Sequence, residues 1–140
     1  MWRLLIPSKS RVAVLAAAFI ILIAAHPSTQ LSTSTVYVEN ELSGNKKLIV
    51  HCRSKDDDVG AQAVDIGAAL HWGFTPYEGT LFWCKLAVED RRLSFDAYNG
   101  KKADIRCRDV RWAARDDGVH LLNSDGTEIE SYRKEWKHLF

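Results

Sequence analysis

An even number of cysteines is what this sequence lacks. Cys52, Cys84 and Cys107 are the only three in 140 residues, so one thiol has no partner within the chain. A strong charge of one sign is missing too. The chain carries 19 Lys and Arg against 18 Asp and Glu, which argues against non-specific nucleic-acid binding, since that needs a basic surface. No Asn-x-Ser/Thr sequon occurs, so N-glycosylation is not expected. His-Glu-x-x-His, Cys-x-x-Cys and Gly-x-Ser-x-Gly are all missing, and no nucleophile–base pairing is visible. No catalytic residue, metal site or cofactor is therefore nominated. Beyond the N-terminal segment no run is apolar enough to cross a membrane, so the mature chain is not expected to insert stably. Helical periodicity is absent there as well. Ala61 to Ala69 is the one ambiguous stretch, and Gly60 and Gly67 weaken a helix in it.

The first residues are organised differently from the rest. Arg3, Lys9 and Arg11 give a positive start, followed by 14 uninterrupted apolar residues from Val12 to Ala25. Ala25, Pro27 and Ser28 then supply small residues and a helix breaker. This is the order of a secretory signal peptide, with cleavage expected between Ala25 and Ser28. The competing reading is an uncleaved anchor, but the run falls short of the roughly 20 residues that span a bilayer. The division expected is residues 1–25 as signal peptide, 26–34 as a loose lead-in and 35–140 as one domain. Without the leader the balance becomes 16 basic against 18 acidic residues, because 3 of the 19 cations lie within it.

From Thr35 onward the period is two. Val36 and Val38 share a face, as do Leu48, Val50 and Cys52. The segment 40–45 between them has turn composition. Ser54 to Gly60 reads as a charged loop. Leu70, Trp72 and Phe74 alternate until Pro76 stops the strand. Phe82, Cys84, Leu86 and Val88 form a wholly apolar face. Leu93, Phe95 and Ala97 follow, with Asn99-Gly100 as a turn signal. Val110, Trp112 and Ala114 alternate next, and Asp117-Gly118 leads into Val119 and Leu121. After Asp125-Gly126, Thr127 to Trp136 can add a last strand. The expectation is an all-β fold, a small antiparallel β-sandwich of about seven to eight strands with turn signals every 8–12 residues.

Three segments go beyond periodicity. They are Leu48-Ile49-Val50-His51-Cys52-Arg53-Ser54-Lys55-Asp56-Asp57-Asp58-Val59-Gly60, then Leu81-Phe82-Trp83-Cys84, then Val110-Arg111-Trp112 with a later Asp117-Gly118-Val119. Their order and spacing resemble the plant self-incompatibility protein S1 family, the S-protein homologues, from about Val36 to about Leu122. Val36 to Leu42 is similar to that family's opening strand and turn. The resemblance implies a small secreted β-sandwich with disulfides and no catalytic activity. It also implies a ligand for cell–cell signalling, of the kind carried by the stigma to a pollen membrane partner. A membrane receptor or other cell-surface protein is the expected partner, the expected location is extracellular, and a monomer is expected.

Members of that family usually carry four cysteines. Cys107 matches the third, and Val110 stands where the fourth is expected. Against that pattern Cys84–Cys107 is the expected disulfide, with Cys52 as the free thiol, buried beside Leu48 and Val50 as a small hydrophobe. Pairing Cys52 with either other cysteine, or a bridge between two molecules, remains open. Cys107 is flanked by Arg106 and Arg108, which favour a thiolate.

Asp56, Asp57 and Asp58 raise the question of calcium, but their spacing is not that of an EF-hand. A solvated turn with carboxylates capping backbone N–H groups, between Ser54 and Gly60, is the simpler account. His51 and His71 lie opposite apolar faces and read as surface residues, and His120 stands near the Asp117-Gly118 turn. Trp72 and Trp112 read as core. Trp83 either packs under a loop or offers an aromatic face to a sugar or protein. A carbohydrate-binding module is thus the alternative function, and a secreted hydrolase a third. Recognition by such a scaffold belongs to its loops. The candidates are Lys55, Asp56, Asp57 and Asp58; Glu89, Asp90 and Arg91; Lys101 and Lys102; and Arg115, Asp116 and Asp117. Segments 41–46 and 77–79 complete the set.

Overall fold

The computed structural model describes residues 33–102 and 108–139. The expected signal peptide, most of the lead-in and Cys107 lie outside the described residues. Ten strands follow one another: β1 (Ser34–Asn40), β2 (Leu48–Arg53), β3 (Asp58–Val64), β4 (Ala69–Phe74), β5 (Leu81–Val88), β6 (Arg91–Asn99), β7 (Val110–Arg115), β8 (Gly118–Leu122), β9 (Glu128–Glu135) and β10 (Lys137–His138). They form two five-stranded sheets, ordered β4-β1-β7-β8-β9 and β10-β6-β5-β2-β3. Pairing is antiparallel except between β1 and β7, which run parallel with Val36 opposite Val110. No helix among the described residues is long and apolar enough to cross a membrane.

The alternation read from the sequence builds the core. β5 buries Phe82, Cys84, Leu86 and Val88, and β6 buries Leu93, Phe95 and Ala97. Val36, Val38, Val110, Trp112 and Leu121 meet them from the other sheet. Trp112 locks the layers together. Its ring lies 4.6 Å from that of Phe95, and its indole N–H donates to Ala97 O at 2.9 Å. A buried indole keeps its one donor satisfied this way, so its apolar bulk can stay in the core.

The expected cysteine pairing is corrected here. Cys52 bonds Cys84, so the bridge is not Cys84–Cys107 and Cys52 is not free. β2 and β5 are neighbours in one sheet, and their register sets Cys52 directly opposite Cys84, with Cα atoms 4.0 Å apart. Both side chains point into the core, where the register brings them together. The odd thiol then falls to Cys107. Val110 is buried in the core from the other sheet.

The sandwich carries ten strands, against the seven to eight read from the sequence. The charged loop ends at Asp57, and β3 runs from Asp58 to Val64 through the stretch read as ambiguous. β3 is an edge strand exposed along most of its length, so its Gly-Ala-Gln-Ala centre shows no alternation to read. Ser34, placed in the lead-in, is the first residue of β1. Glu135 ends β9 in one sheet and Lys137 starts β10 in the other, so the chain changes sheets at Trp136.

Candidate functional site

Strand direction sorts the loops into two sets. Segments 41–47, 65–68, 89–90 and 116–117 gather at one end of the sandwich, together with the crossing at Trp136. Segments 54–57, 75–80 and 123–127 gather at the other, with the start of the link from β6 to β7. The candidate residues divide accordingly. Glu89, Asp90, Arg91, Arg115, Asp116 and Asp117 share the first end. Lys55, Asp56, Asp57, Asp58, Lys101 and Lys102 share the second.

The first end is tied together from within. Asn40, fully buried, donates from Nδ2 to Lys46 O at 2.9 Å and Val64 O at 2.8 Å, while its Oδ1 accepts from Leu42 N at 3.1 Å. Both ends of the 41–47 loop and the end of β3 are thus hung on one side chain that the sequence offered only as turn composition. Asp116 accepts from Ser43 N, and its own carbonyl accepts from the Arg91 guanidinium. The Ser43 hydroxyl and N–H hold the Asp116 carboxyl below its usual 3.8. Arg115 meets Glu41 at 3.2 Å and Lys46 meets Glu89 at 3.1 Å. Leu139 N donates to Asp90 O. Arg91 also lies over the Trp136 ring, whose N–H donates to Arg115 O.

Asp117 is bound twice, by His120 Nε2 at 2.7 Å and Arg133 at 3.0 Å. The hydrogen bond from His120 is the main reason its carboxyl is held low. On the other side of that buried ring, Nδ1 lies 2.7 Å from Glu128 Oε1. That contact is close but falls outside hydrogen-bond geometry. His120 is therefore a packed component of this end.

At the opposite end, segments 54–57 and 75–80 enclose a cleft of about 330 Å³. Lys55, Asp56 and Asp57 form one wall, and Thr75, Tyr77 and Leu81 the other. The floor is aromatic. Phe74 and Phe82 stack at 4.8 Å, Tyr98 abuts Phe74 edge-on, and Trp83 lines the side half-buried. Tyr77 is 68% exposed, the most open large apolar side chain described. Among the described residues the side chains of Lys55, Asp56 and Asp57 have no ion-pair partner.

Local chemistry explains the shape of this end. Ser54 Oγ accepts from Asp57 N and Asp57 O from Ser54 N, which closes the first wall as a turn. Asp58 turns away to His51 at 2.7 Å and Gly60 N at 2.9 Å, and these two bonds, His51 first, hold its carboxyl low. The capping turn expected for this stretch is present at both Ser54 and Asp58. Thr80 braces the second wall through Tyr77 N and Tyr77 O. Gly100 packs so near that wall that a Cβ there would fall 2.1 Å from Tyr77 O, so only glycine allows the approach. Lys101 and Lys102 do not join the cleft. The Lys101 N–H donates to Asn99 Oδ1, and Lys102 reaches over the Tyr132 ring. His71 stacks on Tyr37 across the β1–β4 pair.

Comparison with known proteins agrees with this fold. The family model described as plant self-incompatibility protein S1 matches residues 35–136. S-protein homolog 5 of Arabidopsis thaliana is 33% identical over 87 residues, which cover 61% of this chain and 68% of that protein. S-protein homolog 21 of the same plant is 36% identical over 114 residues, covering 74% and 81%. A solved structure is described as one of SPH (Self-Incompatibility Protein Homologue) proteins, "a widespread family of small, highly stable, secreted proteins from plants". It is 17% identical, with a TM-score of 0.56 over 76% of this chain and 96% of that one, a likeness of fold. With the family model spanning nearly the whole sandwich, the chain belongs to the plant self-incompatibility protein S1 family.

Proposed function

We propose that the protein is a secreted ligand for cell–cell signalling that docks on a cell-surface receptor through the open end of its sandwich. The observation that carries this reading is the contrast in use of charge. Arg91, Arg115, Asp116 and Asp117 are engaged in holding their own loops, whereas Lys55, Asp56 and Asp57 stand unpaired beside the exposed Tyr77. Unpaired charge around an aromatic anchor suits a polar interface that steers and orients a partner. Secretion is supported by the signal-like segment 1–25, and recovery of a chain starting between Ala25 and Ser28 from the medium tests it. The reading is one of binding, without turnover.

The test is capture of the mature, oxidised domain by intact target cells. Saturable, protease-sensitive binding should be lost in Lys55→Gln/Asp56→Asn/Asp57→Asn and kept in Arg115→Gln. Binding that survives the triple change counts against the open end. Trp83 and Tyr77, lining the same cleft, favour a second reading as a carbohydrate-binding module. Binding on a glycan array that disappears in Trp83→Ala would support it.

A further inference from the structure

A second concave surface lies on the side of the sandwich, away from the cleft. β10 covers the edge of β6 only at Arg91 and Arg92. Beyond that point β6 faces β9 of the other sheet without a hydrogen-bonded ladder. Side chains bridge the seam instead. Lys134 Nζ donates to Ser94 O at 3.2 Å, and Trp112 closes it lower down at Ala97 O. Two adjoining depressions follow the seam. One of about 210 Å³ is lined by Lys102, Arg133 and Lys134, and one of about 660 Å³ by Arg92, Arg133, Lys134 and Lys137.

The charge here runs against that of the domain. Five cations line the groove, with Asp96 and Glu135 the carboxylates among them, while residues 26–140 carry 16 basic against 18 acidic residues. Arg133 is paired with Asp117. Arg92, Lys102, Lys134 and Lys137 make no ion pair among the described residues. The Arg92 guanidinium meets only the carbonyls of Glu89 and Arg91. Cations in excess over the carboxylates beside them repel one another, and an anion laid among them relieves that repulsion. Two rings interleave with the cations, Tyr132 in the smaller depression and Trp136 in the larger.

We propose that this groove binds a linear anionic polysaccharide, a chain of sugar rings each bearing a carboxylate. The cations take the carboxylates, and the half-buried Tyr132 and Trp136 between them offer apolar contact to the sugar rings. The seam is elongated along the strands, which suits a polymer. A bilayer presents a flat field of headgroups and would touch only the rims of the groove. An acidic peptide would satisfy the cations but would not bring sugar rings against the interleaved Tyr132 and Trp136.

The site is separate from the receptor reading and can fail independently of it. The probe is polygalacturonate, compared with its fully methyl-esterified form, poly-aspartate and phosphatidylserine vesicles, at several salt concentrations. Polygalacturonate should bind, with affinity falling as salt rises. The esterified polymer should not bind, and poly-aspartate and the vesicles should bind more weakly. Lys102→Glu/Lys137→Glu reverses charge at both ends of the groove and should lower polygalacturonate affinity about tenfold. Its melting temperature and cell-surface capture should stay unchanged. Lys55→Glu, in the cleft, should leave polygalacturonate binding intact. Equal binding of poly-aspartate or vesicles overturns the choice of ligand, and unchanged affinity in the double variant overturns the site.

Discussion

The two ends of this sandwich have the same kinds of residue and use them in opposite ways. At the closed end, Asn40, Asp116, Asp117 and Arg115 are bound to neighbouring loops, and the charge lies in internal contacts. At the open end, Ser54 and Thr80 shape two walls from their own backbones and leave the charged tips outside. Beneath that open end sits the covalent staple. Cys52 lies two residues before Ser54, and Cys84 follows Trp83 of the cleft. One end is held by many weak polar contacts, the other by a disulfide and an aromatic floor. A binding surface gains from the second arrangement, because loops can present unpaired charge while their roots stay rigid.

Breaking the staple should have the largest effect. Cys52→Ala/Cys84→Ala opens a loop with a sequence separation of 32, for which chain entropy alone gives a loss of about 3–4 kcal/mol. Urea unfolding of the oxidised parent and the variant reads it directly. A loss well under half of that would mean the aromatic floor holds the open end without help. Asn40→Ala comes next. It leaves buried carbonyls of Lys46 and Val64 without their donor, at a cost of about 2–3 kcal/mol. Hydrogen exchange should quicken at Leu42 and Gly67, which the Asn40 side chain and backbone hold, and not at Asp57 or Thr80. If both ends loosen together, the ends are not independent.

The same contrast shows where the sequence was readable. Faces were, because Phe82, Cys84, Leu86 and Val88 alternate over eight residues in a strand with neighbours on both sides. β3 was not, because an exposed edge strand places no apolar demand on alternate positions. The disulfide was missed for a nonlocal reason. Cys52 and Cys84 meet only because the intervening β4 crosses to the other sheet and leaves β5 free to pair with β2, and strand order leaves no local trace. Loop composition marked Asp56 and Asp116 alike as recognition candidates. Whether each is free depends on what the topology brings beside it. Asn40 looked like any turn residue, and its burial follows from the convergence of the 41–47 and 65–68 loops on the end of β1.

Charge changes at the two ends should separate stability from binding. Asp56→Asn/Asp57→Asn should alter stability by no more than about 0.5 kcal/mol, because the carboxylates make no ion pair among the described residues. The same double change should weaken cell-surface capture. Arg115→Gln removes a half-exposed ion pair and should cost up to about 1 kcal/mol, with capture unchanged. Capture that falls with Arg115→Gln and survives at Asp56 and Asp57 would reverse the assignment of ends.

The smallest effect expected is in acid. Asp116 and Asp117 at the closed end and Asp58 and Asp125 at the other all have carboxyls held below 3.8, by Ser43, His120, His51 and Thr127 respectively. A folded-state value below the unfolded one stabilises the fold above pH 3.8. That contribution is lost as pH falls from there through the lowered values. Melting temperature should therefore be flat through mildly acidic pH and decline below about pH 4. All four groups are exposed to water, so the decline should be shallow. Asp117→Asn removes the one carboxylate whose main partner, His120, is buried, and should make that acid limb shallower still. Asp125→Asn does the same at the open end by releasing a carboxylate held only by Thr127 of its own turn. Because Asp117 ties β8 to β9 through His120 and Arg133, its removal should also lower the neutral plateau, and that of Asp125 should not. Equal plateaus for the two variants would mean that the closed end draws no stability from the Asp117 network.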